Sequence, residues 1–328
     1  MNRFMACMLL ALVSLSAGIC ASPSGNSPSP VWLNGHEYIR FGDWAALQGA
    51  KVAWLQKDEI FQAVAPSFRF VAKVDSIQAH INGVEIWLCY PVLARNGALY
   101  LSRADVNGTL KPLLSPPRMH AGQRIKTVCL DPGHGGKDPG FRIGATEEQK
   151  HTLLLAQEVQ RLLTQAGFKV TLTRTSDRFV ELSDRAEWAS RKKADVFISL
   201  HYNATPNARA VQGSEVYCLT PAGAFSTNAG LGRGDSSVCP GNQWDPFNLL
   251  LAYHIQAALT HGLSVTDRGV RRARFAVLRD AKMPAVLVEA GFLSHPAEGR
   301  RIIDPNYRHQ IAKAIVQALQ EYQKAVAG

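Results

Sequence analysis

Four sites able to bind a metal or move a proton stand next to apolar runs in this chain. His134 follows "TVCLDPG", His201 ends "DVFISL", Glu289 ends "AVLV", and Glu147 and Glu148 stand where a long helix is expected to open. A lone histidine at a strand end is commonly a structural or surface residue. A half-buried carboxylate after an apolar strand is rarer, because it is costly unless paired or used. The shared placement of all four is what points to chemistry. Two histidines and one carboxylate are a standard ligand set for a catalytic zinc that keeps a fourth position open to water. A further carboxylate could take the proton from that water as it attacks a carbonyl, while the metal lowers the water's pKa towards ~7. The wide spacing excludes a local HExxH helix, so spacing alone does not establish a metal. A phosphate cradle is disfavoured: "GHGGKDPG" lacks the G-x-x-x-x-G-K-[ST] order, and no acid stands where a dinucleotide fold requires one.

The elements that must position these residues begin near Arg124. "IKTVCLD", "KVTLTR", "DVFISLH", "GSEVYCL" and "AVLVEAGF" read as strands. Leu155, Val159, Leu162, Leu163 and Ala166 mark one face of a helix that Gly167 ends. Further helices are expected over Ser183–Lys192, Asn248–Leu259 and the closing "YRHQIAKAIVQALQEYQKAV". Near-continuous apolar strands separated by helices imply an α/β class: a mostly parallel, twisted sheet covered by helices on both faces. In such sheets ligands bind beyond the carboxyl ends of the strands. From Val31 to Leu114 the pattern is instead short apolar runs broken by Asn-Gly pairs at Asn34, Asn82, Asn96 and Asn107, with one short helix near Trp44. Asn-Gly suits tight hairpins, so a small β-rich domain is expected there. The boundaries are 1–21 for an export signal, 22–30 for a Ser/Pro linker, 31–114 for the β-rich domain, 115–123 for a second linker and 124–326 for the α/β domain.

Composition narrows the setting. The 328 residues are 46% hydrophobic, enough for two domains with real cores. Arg3, the apolar stretch Phe4–Leu15 and the small residues Ala17–Ala21 read as an export signal with cleavage expected after Ala21; Cys20 offers a lipoprotein alternative that Ile19 before it disfavours, and the apolar run falls short of a membrane-spanning anchor. Cleavage removes Arg3 and no acid, taking the formal charge from +10 to +9. A basic exported protein favours acidic polymers, and the scattered basic residues suit a bacterial wall better than nucleic acid. Four cysteines remain, Cys89, Cys129, Cys218 and Cys239, with no CxxC pair. Cys89 and Cys129 lie in apolar runs as buried thiols; Cys218 and Cys239 flank a Gly-rich loop that they could bridge.

"VCLDPGHGGKDPG", "EQKHTLLLAQEV", "TLTRTSDRFVELSDRAEWASRKKADVFISLHYNA", "GSEVYCL" and "DRGVRRARFAVLRDAKMPAVLVEAGFLSHPAE" resemble, in order from Ile125 to Tyr322, the zinc-dependent N-acetylmuramoyl-L-alanine amidases. The resemblance implies an exported peptidoglycan hydrolase that cuts the amide between muramic acid and L-alanine. It implies Zn2+ held by His134, Glu148 and His201, with Glu289 as general base. The family usually has lysine after its helix-opening glutamate, where this chain has Gln149, so Glu147 stays an alternative to Glu148. The complete set argues against a degenerate, non-catalytic relative. A zinc peptidase acting within the stem peptide and a non-catalytic wall-binding protein are the competing readings. Arg174 and Arg185 are expected to tie loops through ion pairs. Asn203 is expected to orient the site or make a turn, and His254 and His261 to be packing or surface residues. Arg271, Arg272 and Arg274 are expected either to meet stem-peptide carboxylates or to form a solvated face. Some family members insert an inhibitory helix where this chain has Thr220 to Asn248. That segment holds too much Gly, Pro, Ser and Asn for a stable helix, so a lid or groove wall is expected, which a Cys218–Cys239 bridge could pin. No activator can be named. Residues 31–114 resemble copper amine oxidase N-terminal-like modules, without clustered histidines for copper.

Overall fold

The computed structural model describes residues 28–205, 210–228 and 234–328. The expected export signal and residues 22–27 of the first linker lie outside the described residues. Among those described, no helix is long and apolar enough to cross a membrane.

The N-terminal region runs β1 (Val31–Leu33), β2 (His36–Arg40), α1 (Phe41–Leu47), β3 (Lys51–Gln56), β4 (Ile60–Ala65), β5 (Phe68–Lys73), β6 (Gln78–Ile81), β7 (Val84–Trp87), β8 (Leu93–Arg95) and β9 (Ala98–Ser102). Three Asn-Gly pairs make the expected turns: Asn34, Asn82 and Asn96 all sit at φ 50°, each followed by a glycine with positive φ. The fourth does not. Asn107 and Gly108 lie in a π-helical turn between α2 (Arg103–Asp105) and α3 (Lys111–Leu114). Ser102 Oγ caps α2 by accepting from Asp105 N at 2.9 Å, so local helix chemistry overrides the turn preference of the pair. Phe41 of α1 anchors the core here, its ring 5.3 Å from Phe61 and 5.4 Å from Phe70.

The second half runs β10 (Thr127–Pro132), β11 (Arg142–Ile143), β12 (Thr146–Glu147), α4 (Glu148–Gln165), β13 (Lys169–Leu172), α5 (Leu182–Arg191), β14 (Val196–Asn203), β15 (Ser214–Leu219), α6 (Asp245–Leu263), β16 (Asp267–Ala273), α7 (Ala276–Arg279), β17 (Ala285–Phe292), α8 (Pro296–Ile303) and α9 (Pro305–Val326). Alternate strand residues go to opposite faces of the sheet. Ile198, Leu200, Val286 and Val288 join the core of α4, α6 and α9, whereas Phe197, Ala285 and Leu287 join Ala189 of α5 and Val277 of α7. Helices therefore cover both faces.

The sheet order is β13-β10-β14-β17-β15-β16-β7-β6-β5-β4-β3. β13, β10, β14 and β17 are mutually parallel, and β15 pairs with β16 in parallel. β15 runs antiparallel to β17, a direction its apolar sequence does not encode. Of the strands before residue 115, β1, β2, β9 and β8 form a four-stranded sheet of their own, in that order, whereas β3 to β7 join the sheet of the second half: β7 pairs in parallel with β16 at Ile86 and Val270, so one sheet of eleven strands crosses the expected boundary. Arg272, 1% exposed, reinforces the seam by donating to Thr109 Oγ1 at 2.8 Å.

The segment after β15 also departs from expectation. Gly223 O accepts from Tyr90 OH at 2.7 Å, Phe225 packs edge-on against Tyr90, and Thr227 Oγ1 accepts from Arg272 N. Among the described residues, none from 220 to 248 lines the main cleft. The described part of the segment braces the N-terminal region and forms no wall of the cleft. Nor is it pinned by a disulfide. Cys218 and Cys239 are both free thiols, Cys218 facing Arg272 and Cys239 accepting from Arg274 Nη2 at 3.0 Å.

Candidate metal centre

His134 stands in the loop after β10, in the left-handed region at φ 62°. That conformation is strained for a side-chain-bearing residue, so something must enforce it. Arg174 and Arg185 do. Arg174 donates to the carbonyls of Pro132 and Gly133 at 2.9 and 2.8 Å, and Arg185 to that of His134 at 2.9 Å. Arg185 also pairs with the fully buried Asp131 at 2.8 Å, as expected of it. Among the described residues Arg174 makes no carboxylate pair; it donates to carbonyls and to Thr152 Oγ1, and burial together with the Arg185 charge pushes its pKa down to about 10. The glycines permit close approach. A Cβ on Gly133 would lie 2.2 Å from the His201 ring, and one on Gly140 would lie 2.6 Å from Glu148 Oε2.

Glu148 opens α4 and is 4% exposed. Its Oε1 lies 3.1 Å from His134 Nε2 and 3.2 Å from His201 Nδ1, and accepts from Tyr202 N at 3.1 Å. Its Oε2 accepts from Phe141 N at 3.0 Å. One ligand atom each from His134, Glu148 and His201 lie within 4.8 Å of one another. Burial alone would raise the Glu148 carboxyl, but the hydrogen bonds and charges of the two histidines outweigh it and hold the group well below the ordinary range. For His134, burial works downward, and the bonds to Glu148 and to Asp138 (Nδ1–Oδ2, 2.9 Å) carry it above its usual value. Glu147 points elsewhere, paired with Arg142 and accepting from Gln149 Nε2 at 2.6 Å.

Glu289 sits on β17 directly opposite His201 of β14. Its Oε2 is buried, with no hydrogen-bond partner among the described residues. Desolvation, then the neighbouring Glu148 and Glu215 charges, push its carboxyl well above the ordinary range. The cleft over these residues holds about 530 Å³, walled by Phe179 and Leu182 before and in α5 and by Phe275 and Val277 beside α7. It can accommodate a metal, a water and an acyl group.

Three carboxylates pass unnoticed in the sequence. Asp131 accepts from Thr173 Oγ1 at 2.6 Å and Ser199 Oγ at 2.8 Å. Asp138 orients His134, and Glu215 accepts from Asn203 Nδ2 at 2.7 Å. Asp131 and Asp138 flank His134 in the glycine-rich stretch, a signal that was available. Asn203 thus both braces Glu215 and turns the chain, its Oδ1 accepting from Ala204 N at 2.7 Å. The basic cluster does not form a solvated face. Arg272 is buried, Arg271 stacks at 4.0 Å over the Trp87 ring, and Arg274 pairs with Asp235 at 2.9 Å. None of the three lines the cleft. His254 and His261 lie on α6, away from the cluster, with the His254 ring 6.4 Å from that of Tyr322.

The model of a family described as N-acetylmuramoyl-L-alanine amidase matches residues 128–321, more than half of the chain. The chain belongs to this family. The matched span contains His134, Glu148, His201 and Glu289, so the cleft lies wholly inside the amidase region. Among amidase relatives, the "Probable cell wall amidase LytH" of Staphylococcus saprophyticus is 33% identical over 223 residues, 67% of this chain and 62% of that protein. N-acetylmuramoyl-L-alanine amidase AmiA of Escherichia coli is 32% identical over 240 residues, 66% of this chain and 81% of that one. A crystal structure of an N-acetylmuramoyl-L-alanine amidase from Clostridium difficile 630 superposes with a TM-score of 0.51 at 32% identity, covering 62% of this chain and 98% of the other. The chain spans 55% to 62% of the length of the first curated relatives it matches.

Proposed function

We propose that this protein is an exported, zinc-dependent N-acetylmuramoyl-L-alanine amidase acting on peptidoglycan, where it cleaves the amide between N-acetylmuramic acid and the L-alanine of the stem peptide. The observation that carries this is the convergence of His134 Nε2, Glu148 Oε1 and His201 Nδ1 beside the unpartnered Glu289 Oε2, in a chain of the amidase family. The donor set fits zinc: two imidazole nitrogens and one carboxylate oxygen, with room for a fourth ligand. Zinc held there would lower the pKa of a water and polarise the scissile carbonyl.

The chain's own residues supply the rest. Asp138 engages His134 Nδ1 and so leaves Nε2 for the metal. The backbone amides of Phe141 and Tyr202 fix both oxygens of Glu148. Glu289 is the general base: its carboxylate, opposite His201 and without a hydrogen-bond donor of its own, accepts the attacking water's proton and returns it to the departing L-alanine nitrogen. Residues 124–326 form the catalytic region, with 31–114 as an accessory region resembling the copper amine oxidase N-terminal-like modules and 1–21 as the export signal. The destination is the periplasm or the wall.

Mass spectrometry of products from purified peptidoglycan tests this. The expected result is stem peptides with a free L-alanine N-terminus, lost on chelation and restored by zinc. Cleavage within the stem peptide, or turnover that survives chelation, would overturn it.

A further inference from the structure

Three cross-strand neighbours lie in one row at the active edge of the sheet. His201 of β14 stands opposite Glu289 of β17, and Glu289 stands opposite Glu215 of β15. Directly opposed residues share a face, so all three point into the cleft side. The row continues. Glu215, 2% exposed, accepts at Oε2 from Arg268 Nε at 3.1 Å and lies 3.2 Å from Arg271 Nε. Its Oε1 accepts from Asn203 Nδ2 at 2.7 Å and Tyr217 OH at 2.8 Å. Both arginines come from β16, and both are held by one side chain of the N-terminal region. Arg271 lies 4.0 Å over the Trp87 ring, and Trp87 Nε1 donates to Arg268 O at 3.2 Å. A Cβ on Gly269 would sit 2.9 Å from Trp87 Cδ1, so the indole presses on β16 where glycine alone leaves room. Asp267 Oδ2 locks the same register by accepting from Glu85 N at 2.8 Å.

We infer that Trp87, through Arg271 and Arg268, is a positioning residue for Glu215, and through it for Asn203 and Glu289. Strand β7 is then part of the working centre and not merely of an accessory region. The chemistry requires this kind of support. Glu289 and Glu215 are adjacent carboxylates, and Glu215 keeps its place beside Glu289 only while two guanidiniums face it from the other side. Asn203 follows His201 by two residues and lines the cleft, so a swing of Glu215 reaches the cleft wall directly. The inference rests on reading the cleft as an amide-hydrolysing centre.

The test uses the full zinc-loaded chain and a soluble muramoyl-peptide. Trp87→Ala and Arg271→Gln should each lower kcat about tenfold with KM within about twofold, because small misplacements of a reacting group cost rate more than binding. Trp87→Phe, which keeps a ring under Arg271, should recover most of the loss. Zinc affinity, read by chelator competition, should hold within about twofold, since the relay ends at groups other than the three ligands. In a Glu215→Gln background, Trp87→Ala should add nothing further, the signature of one shared path. Trp32→Ala, exposed at the surface, serves as the silent control. Full kcat in both Trp87→Ala and Arg271→Gln overturns the inference. So do additive losses in the Glu215→Gln background, and so does zinc affinity falling in step with kcat. Should the parent show no turnover, the amidase reading fails by itself. A crystal structure of Arg271→Gln, the milder change, then decides the relay by whether Glu215 leaves Asn203.

Discussion

Two regions of this molecule bury charge in quantity, the cleft at the ends of β10, β14 and β17 and the seam where β16 meets β7. They treat it in opposite ways. At the seam, Asp105 is fully buried, yet it accepts from Cys89 N at 2.7 Å, Tyr90 N at 3.1 Å and Ser102 Oγ at 2.6 Å. Arg272 nearby reaches Thr109 Oγ1. In the cleft, Glu148 is shared by two histidines, and Glu289 Oε2 faces two further carboxylates with no donor at all. Burying an unpartnered charge is expensive, and folds avoid it unless the site is used. The seam's buried carboxylate is fully engaged, although Arg272 Nε beside it has no partner among the described residues; the carboxylate oxygen left without a donor is the one in the cleft.

The sharpest break in that contrast comes from Glu289→Gln. It should lower kcat by about 10²–10⁴, the usual range for losing a general base, without loss of fold. Its effect on stability should even be favourable. Below pH 4 the carboxyl is protonated in the folded and unfolded chain alike. As pH rises the unfolded chain ionises first, because the folded carboxyl is raised, so the metal-free parent loses stability that the Gln variant keeps. Thermal melts of both metal-free proteins at pH 4 and pH 7.5 check this: a gap that opens at the higher pH is expected. A Gln variant less stable than its parent at pH 7.5 would remove the case for an unsatisfied carboxylate.

Asp105→Ala probes the other side. It strands two backbone amides and the Ser102 hydroxyl, each bonded to the carboxylate, and should cost about 3 kcal/mol or more in denaturant titration. A cost under 1 kcal/mol would mean that the seam is not held by its polar partners.

The same contrast explains what the sequence makes legible. Apolar runs reveal the strands and the helical faces, and strand ends place His134, His201 and Glu289 at one edge, as the structure has them. Two adjacent glutamates at a helix start cannot be separated by pattern. Their difference lies in three dimensions, where Arg142 and Gln149 engage Glu147 while the helix turns Glu148 inward. Strand direction is equally hidden, so the antiparallel β15 reads like its parallel neighbours. Arg272 looks like a surface charge because its partners, Gly108 and Thr109, lie 163 residues and more away in sequence. Asn107-Gly108 reads as a hairpin, but the Ser102 cap and the Asp105 bonds wind that stretch into helix. Long-range pairing is what pattern cannot supply.

Asp138→Asn asks how far the cleft depends on groups around its candidate ligands. The carboxylate holds His134 Nδ1 at 2.9 Å, and losing such a partner typically weakens metal binding 10- to 100-fold. Chelator competition should show zinc affinity about tenfold lower, with the fold intact. Unchanged affinity would mean that the backbone clamp from Arg174 and Arg185 is enough to set the ring.

The smallest effect is expected within one helix. Arg185 and Arg191 both lie on α5, and both pair with a carboxylate at 2.8 Å. The Arg185 and Asp131 side chains are 3% and 0% exposed, whereas those of Arg191 and Glu187 are 55% and 58% exposed. Water screens the second pair and leaves both side chains free to leave it, so Arg191→Ala should change stability by less than about 0.5 kcal/mol. Arg185→Ala uncovers a buried carboxylate and frees the His134 carbonyl, so it should cost several times more, about 3–5 kcal/mol. Equal losses at the two positions, in the same denaturant titration, would show that distance alone governs these pairs. A large gap ties the weight of an ion pair to what surrounds it, the property that separates the cleft from the seam.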